Sequence, residues 1–406
     1  MINDNRFSID KLLCVLFCIF ALTPVISHNH LDWVIITGVL WIITTIFLHA
    51  LPKLSAVNRD LCLMIFLVLL WCGIELMYKY VGISSAASGN YVVRMGFYIP
   101  FLMGILYISR NKKIILFTIT ATLVISVLDN IRLSILYPEI LQSITKSDYS
   151  DYRINLNFGA ANFGYCVLIL QLMLWFLICT GKLRKAKKKL ACFIIVAIII
   201  YLLCLSSTSM LILLVVFDGL IYLSFPMFAM NHYTSKVKVI RLCIVILLIL
   251  LIIFLWDRVL GLLGDRVSVR ILALFTGNDW DIYVTRPQLA FVSIQSWLKD
   301  VRSFFFGQGL HLDASDFSFS GQHSAIIDQL AYYGVTGIII PGIAMWKYSR
   351  NISRILSEEC LRLYHILITL FIINNIINTN IKIDAGVMTF LFVPAALIEI
   401  TEMEER

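Results

Sequence analysis

The stretch KLRKAKKK at 182–189 runs directly into LACFIIVAIIIYLLCLSS at 190–207. The second part carries no charge and, at about 1.5 Å per helical residue, crosses most of a hydrocarbon layer roughly 30 Å thick. The first part is a dense basic run, and basic residues flanking a span stay on the cytoplasmic side. One membrane span and its orientation therefore follow from this stretch alone.

The pattern repeats in both directions. Apolar runs bounded by charges predict spans near 11–27, 32–51, 61–78, 91–109, 114–136, 159–180, 190–207, 209–227, 239–256, 324–346, 362–378 and 383–400. With the N-terminus inside, most of the 33 Lys and Arg residues fall on the cytoplasmic side, from Arg6 and Lys11 to Lys347, Arg350, Arg354 and Arg406. Both termini are then expected in the cytoplasm. The first run follows Arg6 and Lys11 as a secretory leader would. It has no small-x-small cleavage site, so it is expected to remain as the first span.

Composition agrees with this picture. Sixty per cent of the 406 residues are apolar and 14% charged, more apolar side chains than a soluble chain of this size can bury. The expected fold class is an all-α integral membrane protein of about 12 transmembrane helices. The chain divides into 1–256 with nine spans, a large outer loop at 257–323, and 324–406 with three more spans. The net charge of +8 comes largely from inner loops, so it predicts contact with anionic lipid and not nucleic-acid binding. Ten cysteines sit in spans or inner loops without ligand spacing, so no metal, cofactor or disulfide framework is expected.

Chemistry is left to the outer loops, near 137–158 and 257–323. The second has the apolar content to fold, with a helix pair or bent helix expected from Leu289 to Phe306, lying as an amphipathic cap on the membrane face. Its arginines, Arg258, Arg266, Arg270, Arg286 and Arg302, stand outside without a topological reason. They are either surface partners of nearby aspartates or a site for an anion, since the guanidinium fork matches phosphate oxygens. His323 lies at the loop-to-span junction, where a neutral imidazole can act as a base or simply anchor the helix at the interface. Asp328, Asp218, Glu75 and the Asn374, Asn375 and Asn378 group are polar residues within spans, where they serve function or helix packing.

Three local patterns then resemble one superfamily. Gly307-Gln308-Gly309, followed by His323-Ser324, nine residues from Ala325 to Tyr333, and Gly334-Val335-Thr336-Gly337, is similar to the signature of the O-antigen polymerases (Wzy-type) and O-antigen ligases (WaaL-type). Arg286, heading an apolar helix, resembles the essential outer-loop arginine of that group. Arg153-Ile154-Asn155-Leu156-Asn157-Phe158-Gly159-Ala160-Ala161-Asn162 resembles its arginine-plus-glycine/asparagine entry to a span.

The resemblance implies a metal-independent, multi-span glycosyltransferase of the GT-C type in the bacterial inner membrane. It would work at the periplasmic face on undecaprenyl-diphosphate-linked oligosaccharide, with a glycan acceptor and, as a further candidate partner, a chain-length regulator protein. Under it, Arg153 and Arg286, with Arg266 and Arg270, would hold the diphosphate. His323 would take the acceptor proton, Asp328 would orient the imidazole, and Asn162, Gly307, Gly309 and Ser324 would shape the substrate-binding turns. Ser206-Ser207-Thr208-Ser209-Met210 lacks the arginine that ligases of the group carry where the seventh and eighth spans meet. A polymerase is therefore expected, with a ligase acting on lipid A core as the alternative. A pathway transporter or flippase is the second alternative, disfavoured because the two halves of the chain do not match.

Overall fold

The computed structural model describes residues 8–50, 59–81, 97–136, 161–183, 185–205, 208–225, 286–309, 324–377 and 382–404. Every regular element among them is helical. In chain order these are α1 (Ile9–Leu22), α2 (Pro24–Asn29), α3 (Leu31–Thr45) continued by a π-helical turn (Ile46–Ala50), α4 (Arg59–Tyr80) and α5 (Tyr98–Leu136). Then come α6 (Ala161–Cys179), α7 (Lys185–Leu205), α8 (Thr208–Ser224), α9 (Arg286–Trp297) and α10 (Val301–Phe306). The last are α11 (Ala325–Tyr333), α12 (Thr336–Ser353), α13 (Glu358–Ile377), α14 (Ile383–Gly386), a π-helical turn (Val387–Phe392) and α15 (Val393–Glu404).

Among the described residues four helical stretches are long and apolar enough to cross a membrane: Leu31–Leu48, Asn111–Leu136, Glu358–Ile377 and Ile383–Glu404. Large apolar side chains stand outward on helices of this kind, Phe117 at 77% exposure and Ile125 at 66% among them. Water does not solvate such surfaces favourably, and lipid does. The chain is an all-α membrane protein.

The described helices differ from the expected spans in two instructive places. The runs at 91–109 and 114–136 are joined in α5, and the break between them survives as a kink at Asn111, whose φ of −133° and ψ of 31° leave the helix. The run at 324–346 is two helices instead of one. Gly334 ends α11 with a φ of 63°, and α12 starts two residues later and runs on to Ser353.

Two compact units divide the chain. In the first, α1 packs on α3, α4 on α12, and α13 on both α11 and α15. Its interior is aromatic: Phe101 and Phe390 rings meet at 4.8 Å, Phe97 and Phe390 at 5.5 Å, and Tyr348 donates a hydrogen bond to the Phe390 carbonyl at 2.7 Å. An added Cβ on Gly104 would lie 2.5 Å from that carbonyl oxygen, so a small residue is what admits the close approach. At the other end of this unit Lys112 pairs with Glu402 and, at 3.7 Å, with Glu399, tying α5 to α15.

In the second unit, Ile178, Ala191 and Ile195 pack between α6 and α7. Asp218 of α8 accepts two hydrogen bonds from Gln171 of α6, at 2.9 and 3.0 Å. That pairing satisfies a polar group inside a span with a partner on a neighbouring helix.

Candidate functional site

Of the residues singled out above, His323, Arg153, Arg266 and Arg270 lie outside the described residues, as does Asn378. The backbones of Arg286 and Asn162 are described, each at the start of a helix. Gly307, Gly309, Ser324 and Asp328 are described in full, and the structure gathers them into one locus with α9, α10 and α11.

The locus is held by a backbone clasp. The chain leaves α10 at Gly307 with a φ of 70° and continues through Gly309 with a φ of 81°. In this turn the Gln308 N–H donates to the Ala331 carbonyl and the Gly309 N–H to the Tyr332 carbonyl, each at 2.9 Å. On the opposite side the Val335 N–H donates to the Phe304 carbonyl at 2.9 Å. The carboxyl ends of α10 and α11 thus exchange hydrogen bonds across a gap that no side chain could share.

A Cβ on Gly307 would fall 2.3 Å from the Tyr332 carbonyl, and one on Gly334 would fall 2.4 Å from the Phe305 carbonyl carbon. Two glycines of the sequence pattern are therefore required by backbone contact. The turn at 307–309 is expected to bind substrate; in the structure the N–H groups of Gln308 and Gly309 are given to α11. Gln308 reaches further, its side-chain amide donating to the Ser296 carbonyl at 2.9 Å.

The helix α9 is fastened at two heights, directly to α11 at one and through α10 to the residue after the α11 turn at the other. At the upper one, the Ser293 hydroxyl donates to Asp328 at 3.2 Å. At the lower, the Trp297 indole N–H donates to the Phe304 carbonyl at 3.0 Å, the same oxygen that receives Val335. Residue number rises along both helices from one tie to the other, so α9 and α11 run in the same direction. The N-terminus of α9, headed by Arg286, and that of α11, preceded by Ser324, consequently lie at the same end of the pair. Helix N-termini present unpaired N–H groups and a partial positive charge.

Ser324 is the N-cap of α11: its hydroxyl accepts from the Ile327 N–H at 3.2 Å. It also donates to the Asn375 carbonyl of α13 at 3.5 Å. Asp328 answers by accepting the Ser324 N–H at 3.3 Å, a reciprocal arrangement close to a capping box. The Asp328 carboxylate, expected to orient His323, is thus seen joining Ser293 of α9 to the first peptide of α11. Both Asp328 and Ser324 are only 5% exposed.

Tyr78 of α4 closes the back of the locus. Its hydroxyl donates to the Phe306 carbonyl, and its ring meets Tyr333 at 5.1 Å. Between α9 and α10, Asp300 caps α10 by accepting the Ser303 N–H at 2.7 Å, and that bond holds the Asp300 carboxyl below its ordinary value.

Sequence reasoning gave no role to Ser293, Trp297, Gln308 or Tyr78. A faint signal existed for the first: Ser293 and Ser296 share a face at i and i+3 in a helix otherwise rich in apolar residues. Among the described residues no three His, Cys, Asp or Glu side chains gather as metal ligands would. Comparison of the chain with family models and with curated proteins finds no match.

Proposed function

We propose that this protein is an O-antigen polymerase of about twelve spans, joining undecaprenyl-diphosphate-linked repeat units at the periplasmic face of the inner membrane. The observation that supports the proposal most is the clasp. It explains why Gly307, Gly309 and Gly334 stand where they do, and with the Ser293–Asp328 bond it sets the helix headed by Arg286 beside the helix that begins two residues after His323. Of the patterns quoted from the sequence, the turn at Gly307-Gln308-Gly309, the Ser324 cap, the Gly334 turn and the helix that Arg286 heads adjoin one another.

In the proposed reaction His323 accepts the proton of an acceptor hydroxyl on one lipid-linked repeat unit. The freed oxygen attacks the anomeric carbon of the growing chain, and the bond from that carbon to the diphosphate oxygen breaks. The electron pair leaves with undecaprenyl diphosphate, whose charge Arg286 and Arg153, with Arg266 and Arg270, neutralise. A cation at a helix N-terminus, the place Arg286 holds on α9, suits this step because it needs little reorganisation as charge develops. Gly307 and Gly309 then act through the clasp, and Ser324 through the cap, by holding the two ends in place.

The test is a deletion strain complemented with variants at equal expression. His323→Ala and Arg286→Ala are expected to abolish the ladder of long-chain surface polysaccharide, leaving a single repeat unit on the lipid core. Arg286→Lys is expected to restore only part of it, since a point charge does not replace a two-pronged contact. A bare core with accumulated lipid-linked polymer would overturn the polymerase reading in favour of the ligase. An unchanged ladder in both alanine variants would remove the mechanism altogether.

A further inference from the structure

Ser293 lies seven residues past Arg286 on α9 and is completely buried. Its neighbours Phe291 and Ile294 are 60% and 37% exposed. The helix therefore turns a serine inward and a phenylalanine outward, the arrangement of membrane proteins, in which small hydroxyl side chains at helix contacts hydrogen-bond across them. A buried hydroxyl is retained at such a place when its hydrogen bond does something that an alanine would not.

That bond goes to Asp328, whose second oxygen accepts the N–H of Ser324. The peptide whose N–H is held is the one joining His323 to Ser324. Ser293 is thereby connected, through one carboxylate, from the Arg286 helix to the first peptide N–H of α11, that of Ser324.

We propose that Ser293 is a positioning residue: it sets the height of the Arg286 helix against the start of α11, so that donor and acceptor groups meet. The inference rests on the polymerase reading above. A second, indirect tie, from Trp297 to the Phe304 carbonyl of α10 and from that oxygen to Val335 just past α11, does not involve Ser293. The pair accordingly stays assembled without the hydroxyl but loses its registration at the end where chemistry is proposed. Misplacement by about 1 Å is enough to slow an enzyme on the order of a hundredfold.

The experiment uses the full chain in nanodiscs, with lipid-linked glycan extracted from membranes of the deletion strain as the probe. Ser293→Ala is expected to lower kcat roughly tenfold to a hundredfold, with KM for the lipid-linked glycan within about twofold and Tm within about 3 °C of wild type. Ser293→Thr, which keeps the hydroxyl, is expected to recover most of kcat. A Ser293→Ala protein with wild-type kcat overturns the inference, as does equal loss in the alanine and threonine variants, which would mark a requirement for volume. A fall in kcat matched by a loss of Tm, both unrepaired by threonine, overturns it too. Failure of the wild-type protein to elongate the extracted glycan would instead sink the polymerase reading, so the two failures are told apart.

Discussion

Gly307 and Gly334 hold left-handed backbone conformations, with φ of 70° and 63°, and each faces the peptide backbone of the other's helix. A side chain at either position meets atoms that cannot turn aside, unlike the flexible end of a side chain. Strain from φ alone is worth roughly 1–2 kcal/mol, and the clash adds to it. Gly334→Ala is expected to lower Tm sharply in detergent and to lose the polysaccharide ladder with it. Gly342 of α12 offers the contrast, because an added Cβ there meets nothing within 4 Å. Gly342→Ala is expected to leave activity intact and to raise stability by about 0.5–1 kcal/mol, the usual gain for alanine over glycine within a helix. A destabilised Gly342→Ala protein beside an unaffected Gly334→Ala protein would refute the backbone argument. The resemblance picked out Gly307 for a substrate-binding turn and Gly334 as a position of the signature, with no structural reason for either. The physical reason, contact between two main chains distant in sequence, is invisible until the chains are placed.

Among elements, α10 is the most dependent on its cap. It is one and a half turns long, and helices so short do not persist by propensity. Asp300 at its N-cap accepts the Ser303 N–H, and its carboxyl titrates below the ordinary value for that reason. A carboxylate whose folded value is depressed contributes stability that is present above its unfolded value, near 4. That contribution is lost as pH falls through the folded value. Hydrogen-exchange protection of 301–306, corrected for intrinsic rates, should therefore hold from neutral pH to about 4 and decline below it. Asp300→Asn keeps an acceptor without a titration and should flatten that decline; equal declines in both proteins would show that the cap is not the cause. The helix pair across this region was legible from its apolar residues and appears as α9 and α10. Its fastening to α11 was not, because Trp297 and Ser293 look like ordinary members of an apolar helix.

At the scale of the molecule the basic residues carry the topological prediction. With both termini cytoplasmic, the run at 182–189 faces inward and the segment joining α9 to α10 faces outward. In a background with native cysteines replaced, a cysteine at Lys299 should react with a membrane-impermeant maleimide on intact spheroplasts. One at Lys187 should react only after permeabilisation. Lys299 and Asp300 are exposed at the surface, so access is limited by the membrane and not by packing. The reversed labelling pattern would invert the proposed orientation and place the Arg286 helix on the wrong side for a periplasmic reaction.

What the sequence determined by itself was the solvent and the helical class. Uninterrupted apolar runs of membrane length, with basic residues at alternate ends, leave helices in a bilayer as the outcome, because a backbone in hydrocarbon must satisfy its own hydrogen bonds. The kink at Asn111 and the pair α9 and α10 fall where charge and apolar pattern place them. Tertiary structure alone decided that α11 and α12 are separate helices, and that Gly307 and Gly334 serve each other. It also decided that Asp328 is a strut between Ser293 and Ser324. Each of these depends on which backbone atoms come within hydrogen-bonding distance across segments far apart in the chain. Periodicity and composition carry no record of that distance.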